Sequence, residues 1–263
     1  MQSQVLKYFP KILRRFLHYI YFDLIMRIYE YINPNKKVKF RNTILENGNI
    51  LDFKTKALIR HNLYEPYEID ALESLDLSDN NFIDLGSSLG LCSLLVQENL
   101  NPNYSHVLVE PNIDLLNFSK EILNNKGSKN IYFENKAIFY GQDYIYFNKG
   151  SNVLSGYVSK EAGKSSLKIK TTTLESLLNY YSIHSFNILI DIEGLSFSPL
   201  FKESRLFKQC EKIVIEERFD KTFTQNKIES KLSDLGFKIR YIQDSWGSNI
   251  IGATKKWNLE CFS

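Results

Sequence analysis

Three short apolar runs of this chain each arrive at a carboxylate. They are Phe82-Ile83-Asp84-Leu85, Val107-Leu108-Val109-Glu110 and Ile188-Leu189-Ile190-Asp191, the last followed closely by Glu193. The first runs into Gly86-Ser87-Ser88-Leu89-Gly90, residues small enough to let a ligand approach the backbone. Leu89, Leu91, Leu94 and Leu95 then recur at helical spacing, so a helix begins as the loop ends. Strand, glycine turn and helix N-terminus together aim N–H groups and a positive dipole end at a ligand, as in nucleotide sites. Glu110 lies 20 residues beyond Gly90, where a βαβ unit places a carboxylate on ribose hydroxyls.

Two cofactor classes use that layout. A dinucleotide site needs Gly-x-Gly-x-x-Gly, and here Ser88 stands in the middle glycine's place. The pyrophosphate would lose its close backbone approach. An acid within the first strand, a looser Gly-x-x-x-Gly and Glu110 suit S-adenosylmethionine better: its sulfonium is cationic and its ribose is a diol. Methyl transfer to a hydroxyl then calls for alignment of the two reactants and a base that takes the proton. Asp191, Glu193 and Glu216 are the candidate bases. A divalent metal held by Asp191 and Glu193 would be an alternative to a base, but no metal site is expected. Tyr64 and Trp246 are candidate aromatic surfaces for an acceptor. Among the histidines, His106 and His184 read as surface residues.

These residues need a scaffold that gathers strand ends. From residue 81 onward, strands and helices alternate, which predicts an α/β, Rossmann-like, doubly wound and mostly parallel sheet. Strands are expected at 82–85, 106–110, 131–134, 186–192 and 213–215, with helices at 89–99, 112–124 and from 173. An antiparallel pair is expected at 237–242 and 249–254, around Ser245-Trp246-Gly247. Residues 144–170 predict two short strands around a glycine- and serine-rich middle. Parallel strands deliver their C-terminal ends to one edge, where ligands bind. Three acids there would share one site.

Ahead of this domain, 1–55 is read as an extension and 56–263 as the Rossmann-like domain. Residues 5–32 carry an amphipathic pattern rich in aromatics and bases, suited to packing on this chain, on a second copy, or on an anionic membrane surface. Its longest uncharged stretch is too short to span a bilayer. Asn33-Pro34-Asn35-Lys36-Lys37 reads as a linker. A hairpin is expected from 38–44 and 50–53, turning at Glu46-Asn47-Gly48-Asn49. Residues 56–76 return to helical spacing, broken or restarted at Pro66.

The composition is that of an ordinary globular chain: 263 residues, 43% hydrophobic, with a net charge of +3. That charge is too mild to predict nucleic-acid binding. Cys92, Cys210 and Cys261 form neither a zinc spacing nor a paired framework. No signal-peptide pattern opens the chain, so a cytoplasmic protein is expected, with peripheral membrane contact left open.

With these residues in place, the chain resembles the FkbM family of S-adenosylmethionine-dependent methyltransferases over about residues 60–255. Leu63-Tyr64-Glu65-Pro66 is similar to the family's Tyr-Glu segment, and Asp84-Leu85-Gly86-Ser87-Ser88-Leu89-Gly90 to its Asp-x-Gly-Ala-Asn-x-Gly signature. Val109-Glu110-Pro111, Thr173-Leu174-Glu175-Ser176-Leu177, Ile190-Asp191-Ile192-Glu193-Gly194 and Val214-Ile215-Glu216 follow in the family's order. Ser87-Ser88 replaces Ala-Asn, and Leu189 stands where the family usually has lysine. The resemblance implies a class I methyltransferase sheet of seven strands. It implies a cofactor set of Tyr64, Glu65, Asp84, Gly86, Ser87, Ser88, Gly90, Glu110, Pro111, Asn112, Ala137 and Asp191. It also implies O-methylation of a small-molecule or glycan acceptor with a free hydroxyl. The other readings are a catalytically silent cofactor-binding or scaffold protein on the same sheet, and a nucleotide- or dinucleotide-binding enzyme.

Overall fold

The computed structural model describes residues 24, 28–29, 31–32, 37–45, 50–124, 130–150, 154, 156–163, 166–217, 219–245 and 248–255. The chain forms two compact units, Met1–Tyr64 and Glu65–Ser263.

In the first unit, Leu24, Ile28, Tyr29, Tyr31 and Ile32 have helical backbone; the rest of the 5–32 pattern and the linker residues 33–36 lie outside the described residues. Strands β1 (Val38–Phe40) and β2 (Thr43–Leu45) pair antiparallel, Val38 opposite Leu45. This corrects the expected hairpin. Its turn is at Arg41-Asn42, with Arg41 at φ 49°, and the second predicted strand instead opens a helix, Phe53–Arg60. The physical reason is the cap: Asp52 accepts a hydrogen bond from the Thr55 N–H at 2.8 Å, which settles the helix start. Residues 46–49 lie outside the described residues.

The second unit opens with a helix, Pro66–Leu75, whose first residue is the proline. Strands β3 (Asn81–Leu85), β4 (His106–Val109), β5 (Ile131–Glu134), β10 (Phe186–Ile190), β11 (Cys210–Glu217), β12 (Phe237–Ser245) and β13 (Ser248–Lys255) form one sheet in the order β12-β13-β11-β10-β3-β4-β5. β13 runs antiparallel to both of its neighbours, and the pairs from β11 to β5 are parallel. Phe82, Ile83 and Leu85 of β3 are fully buried, as expected for a central strand covered on both faces.

One face carries Ile83, Val107, Ile188, Ile213 and Ile251, packed with Leu174, Phe197 and Ile228 of helices Leu174–Tyr180, Phe197–Lys202 and Gln225–Asp234. On the other side, helix Pro66–Leu75 packs on β11 and β13 and on helix Leu91–Gln97, which in turn meets helix Ile113–Asn124. The chain winds outward from β3 through β4 to β5, then returns to β10 on the other side of β3. The strand order therefore reverses between β3 and β10, where an open α/β sheet leaves a crevice at its strand ends.

Between β5 and β10 the chain builds a second sheet. Strands β6 (Ala137–Ile138), β7 (Tyr144–Lys149), β8 (Gly156–Ser159) and β9 (Leu167–Thr172) lie in the order β6-β9-β7-β8. The sequence predicted only two of these four. β7 alternates between exposed and buried residues, the pattern of a sheet with one solvated face. Its inner residues Ile145 and Phe147 form a small core with Ala137 and Ile169. No helix among the described residues is long and apolar enough to cross a membrane.

Candidate functional site

The three acids meet at the switch point. Asp84 on β3, Glu110 just past β4 and Asp191 just past β10 line one rim of the sheet, and the register puts Leu85, Val109 and Ile190 at matching strand ends. Asp84 and Glu110 are buried. Burial raises the Asp84 carboxyl to about 7, against a hydrogen bond from Ser93 that favours its charged form. Burial also raises Glu110 to about 7, assisted by the Asp84 charge and opposed by two backbone hydrogen bonds. Asp191 is pushed to about 8 by desolvation and then by Glu193, Asp84, Glu110 and Glu217. The Asp191 N–H donates to the Leu85 carbonyl at 2.9 Å, which holds the end of β10 against the end of β3. Among the described residues, no lysine or arginine forms an ion pair with any of the three.

The loop is fixed to this rim. Gly86 N–H and Ser87 N–H both donate to the Val109 carbonyl, at 2.9 and 3.2 Å, and Gly90 N–H donates to the Ser87 carbonyl at 2.7 Å. Ser88 N–H donates to Glu110 Oε2 at 2.9 Å, and Asn112 N–H donates to Glu110 Oε1 at 2.8 Å. A Cβ on Gly86, where φ is +92°, would stand 1.8 Å from the Asp191 carbonyl oxygen. Only glycine fits there, because the ends of β3 and β10 close on one another. Two buried polar atoms at this rim, Asp84 Oδ1 and Ser87 Oγ, have no hydrogen-bond partner among the described residues. Such atoms are costly to leave unpaired, and these two are able to accept or donate a further hydrogen bond.

The strand order and its reversal identify the architecture. This is a Rossmann-like, doubly wound and mostly parallel seven-stranded sheet, as the sequence predicted. Neither a protein-family model nor a curated protein matches the chain. Among solved structures the chain is similar to the pyocyanin biosynthetic protein PhzM, at 12% identity over 78% of this chain and 59% of that one, with a TM-score of 0.41. It is similar to magnesium protoporphyrin IX methyltransferase of Synechocystis PCC 6803 with bound SAM, at 12% identity over 94% and 96%, with a TM-score of 0.43. It is also similar to Aeropyrum pernix fibrillarin with natively bound S-adenosyl-L-methionine, at 10% identity over 68% of each chain, with a TM-score of 0.42. The chain spans 59% of the length of the PhzM structure and 41% of that of EvdMO1. At these scores the chemistry of the rim, not the likeness, has to decide the ligand.

The other predicted residues fall in several places. Glu65 reaches the site: it accepts a hydrogen bond from the Cys92 thiol at 3.2 Å, and Glu65, Asp84 and Asp191 all help to push that thiol upward, after burial itself. Glu65 is held at φ 43°, directly before Pro66, a left-handed backbone that a non-glycine residue adopts only under local constraint. Asn112 accepts from the Asp114 N–H at 3.2 Å and so turns the chain into the next helix. Pro111 is half-buried beside it, and its carbonyl accepts from Asn135 Nδ2 at 2.9 Å. The Ala137 side chain belongs to the core of the second sheet, so only its backbone is left to face a ligand. Glu193 is exposed. Tyr64 is buried and ends the first unit, whereas the rim is built from the second. Trp246 lies outside the described residues. Among the described residues, no group of three or more His, Cys, Asp or Glu side chains is arranged as a metal site.

Sequence reasoning missed two features. Glu216 receives a hydrogen bond from the Ser248 hydroxyl, while Glu217, one residue on and therefore on the opposite face of β11, accepts from the Ser196 N–H at 3.0 Å and raises Asp191. The alternation of Ile213 and Ile215 into the core was the signal that could have found it. His106, read as a surface residue, is fully buried. The correction has a simple cause: β4 lies between β3 and β5, so even its first residue is covered. Its ring packs on Phe82 at 5.0 Å. His184 is exposed, as expected.

Proposed function

We propose that this protein binds S-adenosylmethionine at the acidic rim and transfers its methyl group to a hydroxyl oxygen of a sugar, glycan or natural product, in the manner of the FkbM family it resembles. The observation that carries this is the gathering of Asp84, Glu110 and Asp191 around a switch point, with no basic partner among the described residues. A site built from repelling carboxylates favours a ligand with positive charge. A dinucleotide brings a negatively charged pyrophosphate instead, and the N–H groups of Gly86, Ser87, Ser88 and Gly90 already have protein acceptors.

S-adenosylmethionine supplies an activated methyl on a cationic sulfur. The remaining roles belong to this chain. Glu110, fixed by the N–H groups of Ser88 and Asn112, retains acceptor capacity for ribose hydroxyls. Asp84 Oδ1 and Ser87 Oγ suit the ammonium and carboxylate of the methionyl end, as acceptor and donor respectively. Asp191 is the favoured base: positive charge beside it opposes the repulsion that holds its pKa up, leaving a carboxylate able to take the acceptor's proton. Leu189 pairs with Asp84 in the β3–β10 register, so the lysine position of the family falls beside this acid and is apolar here. Residues 5–32 are proposed as a surface for a second copy or an anionic membrane. Removing 1–32 and measuring solution mass and liposome flotation would reveal either role.

The test is calorimetry with S-adenosylmethionine, S-adenosylhomocysteine and NAD, followed by methyl transfer to a panel of sugars and natural products. Binding of the first two without NAD is the expected result. Tight NAD binding with no response to the other two would overturn the reading.

A further inference from the structure

Behind the rim, Asp84 is joined to the surface of the second unit by a chain of buried side chains. Ser93 Oγ lies 2.6 Å from Asp84 Oδ2 and 2.8 Å from His106 Nε2. His106 Nδ1 lies 2.6 Å from Gln97 Oε1. Ser93 and His106 have no exposed surface, and Gln97 is half-buried. The chain thus runs from the site to solvent through one hydroxyl and one imidazole. No ligand-binding role assigned above uses Ser93, His106 or Gln97.

The hydrogen-bonding capacities of these groups fix the protons. An amide oxygen only accepts, so Nδ1 carries the proton that faces Gln97 Oε1. Burial drives the His106 pKa down to about 3, so the ring is neutral and its Nε2 is a bare acceptor. Ser93 therefore donates its one proton to Nε2. The Ser93–Asp84 bond then needs its donor on Asp84, a neutral carboxylic acid, the reverse of the donation from Ser93 that favours the charged form. That agrees with the upward shift of Asp84. If Asp84 is ionised, every bond must reverse. Ser93 then donates to Asp84, His106 donates from Nε2 to Ser93, and the bare Nδ1 requires the Gln97 amide to turn its NH2 inward. Four groups thus have two concerted arrangements, and the charge of Asp84 selects between them.

We infer that Ser93 and His106 are positioning residues that couple binding of the cationic cofactor to ionisation of Asp84, passing its proton to solvent at Gln97. The proton leaves Asp84 Oδ2 for Ser93 Oγ, the Ser93 proton passes to His106 Nε2, and the Nδ1 proton leaves on the side of the half-buried Gln97, whose amide must swing away for water to take it. One carboxylic acid becomes one carboxylate, and one proton is released. Among the described residues, the other titratable groups around Asp84 are Glu110 from the end of β4, Asp191 from the end of β10, Cys92 with its partner Glu65, and, through Ser93, His106. All but the neutral His106 are acidic, so a bound cation favours a further negative charge there. The inference rests on the proposed cofactor, but its readout is separate.

The decisive measurement is the His106 tautomer by nitrogen-15 NMR of histidine-labelled protein, with the signal assigned from a His106→Asn variant. Nδ1–H is expected in the ligand-free protein at pH 6, and Nε2–H after addition of S-adenosylmethionine. An unchanged tautomer with the cofactor bound would overturn the coupling. If no cofactor binds, the proposed function fails by itself. Raising the pH from 5 to 9 then tests the relay alone, since ionising Asp84 must reverse the tautomer, and a ring that never changes rejects it. Ser93→Ala should weaken S-adenosylmethionine binding roughly tenfold or more at pH 7, the scale of a hydrogen bond lost to a charged group. The deficit should narrow at pH 9, and Ser93→Thr should restore the wild-type pH profile. A deficit independent of pH would mean that Ser93 is merely structural.

Discussion

Gly86→Ala is the sharpest test of how the rim is built, because Gly141 offers a matched control. Both glycines have nearly the same backbone, φ +92° and +88°. A Cβ on Gly141 would meet nothing within 4 Å, whereas one on Gly86 would meet the Asp191 carbonyl oxygen at 1.8 Å and its carbon at 2.8 Å. Gly141→Ala should therefore show only the cost of a left-handed alanine, about 1–2 kcal/mol. Gly86→Ala adds the overpacking of a site that cannot yield by side-chain rotation, a further ~1–3 kcal/mol. The expected losses are thus about 1–2 kcal/mol for Gly141→Ala and roughly 2–5 kcal/mol for Gly86→Ala. Urea unfolding of both variants measures the difference. Calorimetry should show lost cofactor affinity only for Gly86→Ala, since its methyl pushes apart the ends that carry Asp84 and Asp191. Equal destabilisation of the two variants, within about 0.5 kcal/mol, would refute the close β3–β10 contact on which the site depends.

Other expectations follow from the same rim. Asp84, Glu110 and Asp191 all have folded pKa values above their ordinary 3.8, 4.5 and 3.8. The folded state therefore holds more protons than the unfolded one through that window. Their contribution is full below about pH 4 and is lost as pH rises through about 7 to 8; thermal melts without ligand should fall over this range, and fall less in Asp191→Asn. Saturating S-adenosylmethionine should flatten the profile, and an unchanged slope would count against a cationic ligand. Glu217→Gln should lower the Asp191 pKa in a carbon-13 carboxyl titration, while Glu216→Gln should leave it in place. A shift from the second variant only would reverse the assignment of faces on β11. Glu110→Ala should weaken cofactor binding by about 1–3 kcal/mol, and unchanged affinity would remove Glu110 from the ribose.

Much of this architecture could be read from residue types because the physics is local. Phe82, Ile83 and Leu85 carry no polar alternation, so β3 had to be central, and parallel neighbours had to bring Glu110 and Asp191 to its end. What escaped depends on register or on covering layers. Nothing in the sequence near His106 shows that helix Leu91–Gln97 will place Ser93 and Gln97 on either side of its ring. Choosing Glu217 over Glu216 required the phase of β11, which one extra strand residue would invert. The hairpin was misplaced because Asn47-Gly48 is a strong turn signal, while the Asp52 cap that claims Phe53 for a helix is weaker to the eye. The second sheet was half-seen because short strands bounded by glycines resemble loops.

Leu189 gives the site its character by what it withholds. A lysine at that place on β10 would sit among the acids as a permanent internal counter-ion, and the rim would be electrically content before any ligand arrived. With leucine there, the carboxyls crowd together with no cation paired to them among the described residues, and under the proposed function a cationic ligand would relieve that crowding. A Leu189→Lys variant should then bind S-adenosylmethionine more weakly, its ammonium standing in for the sulfonium.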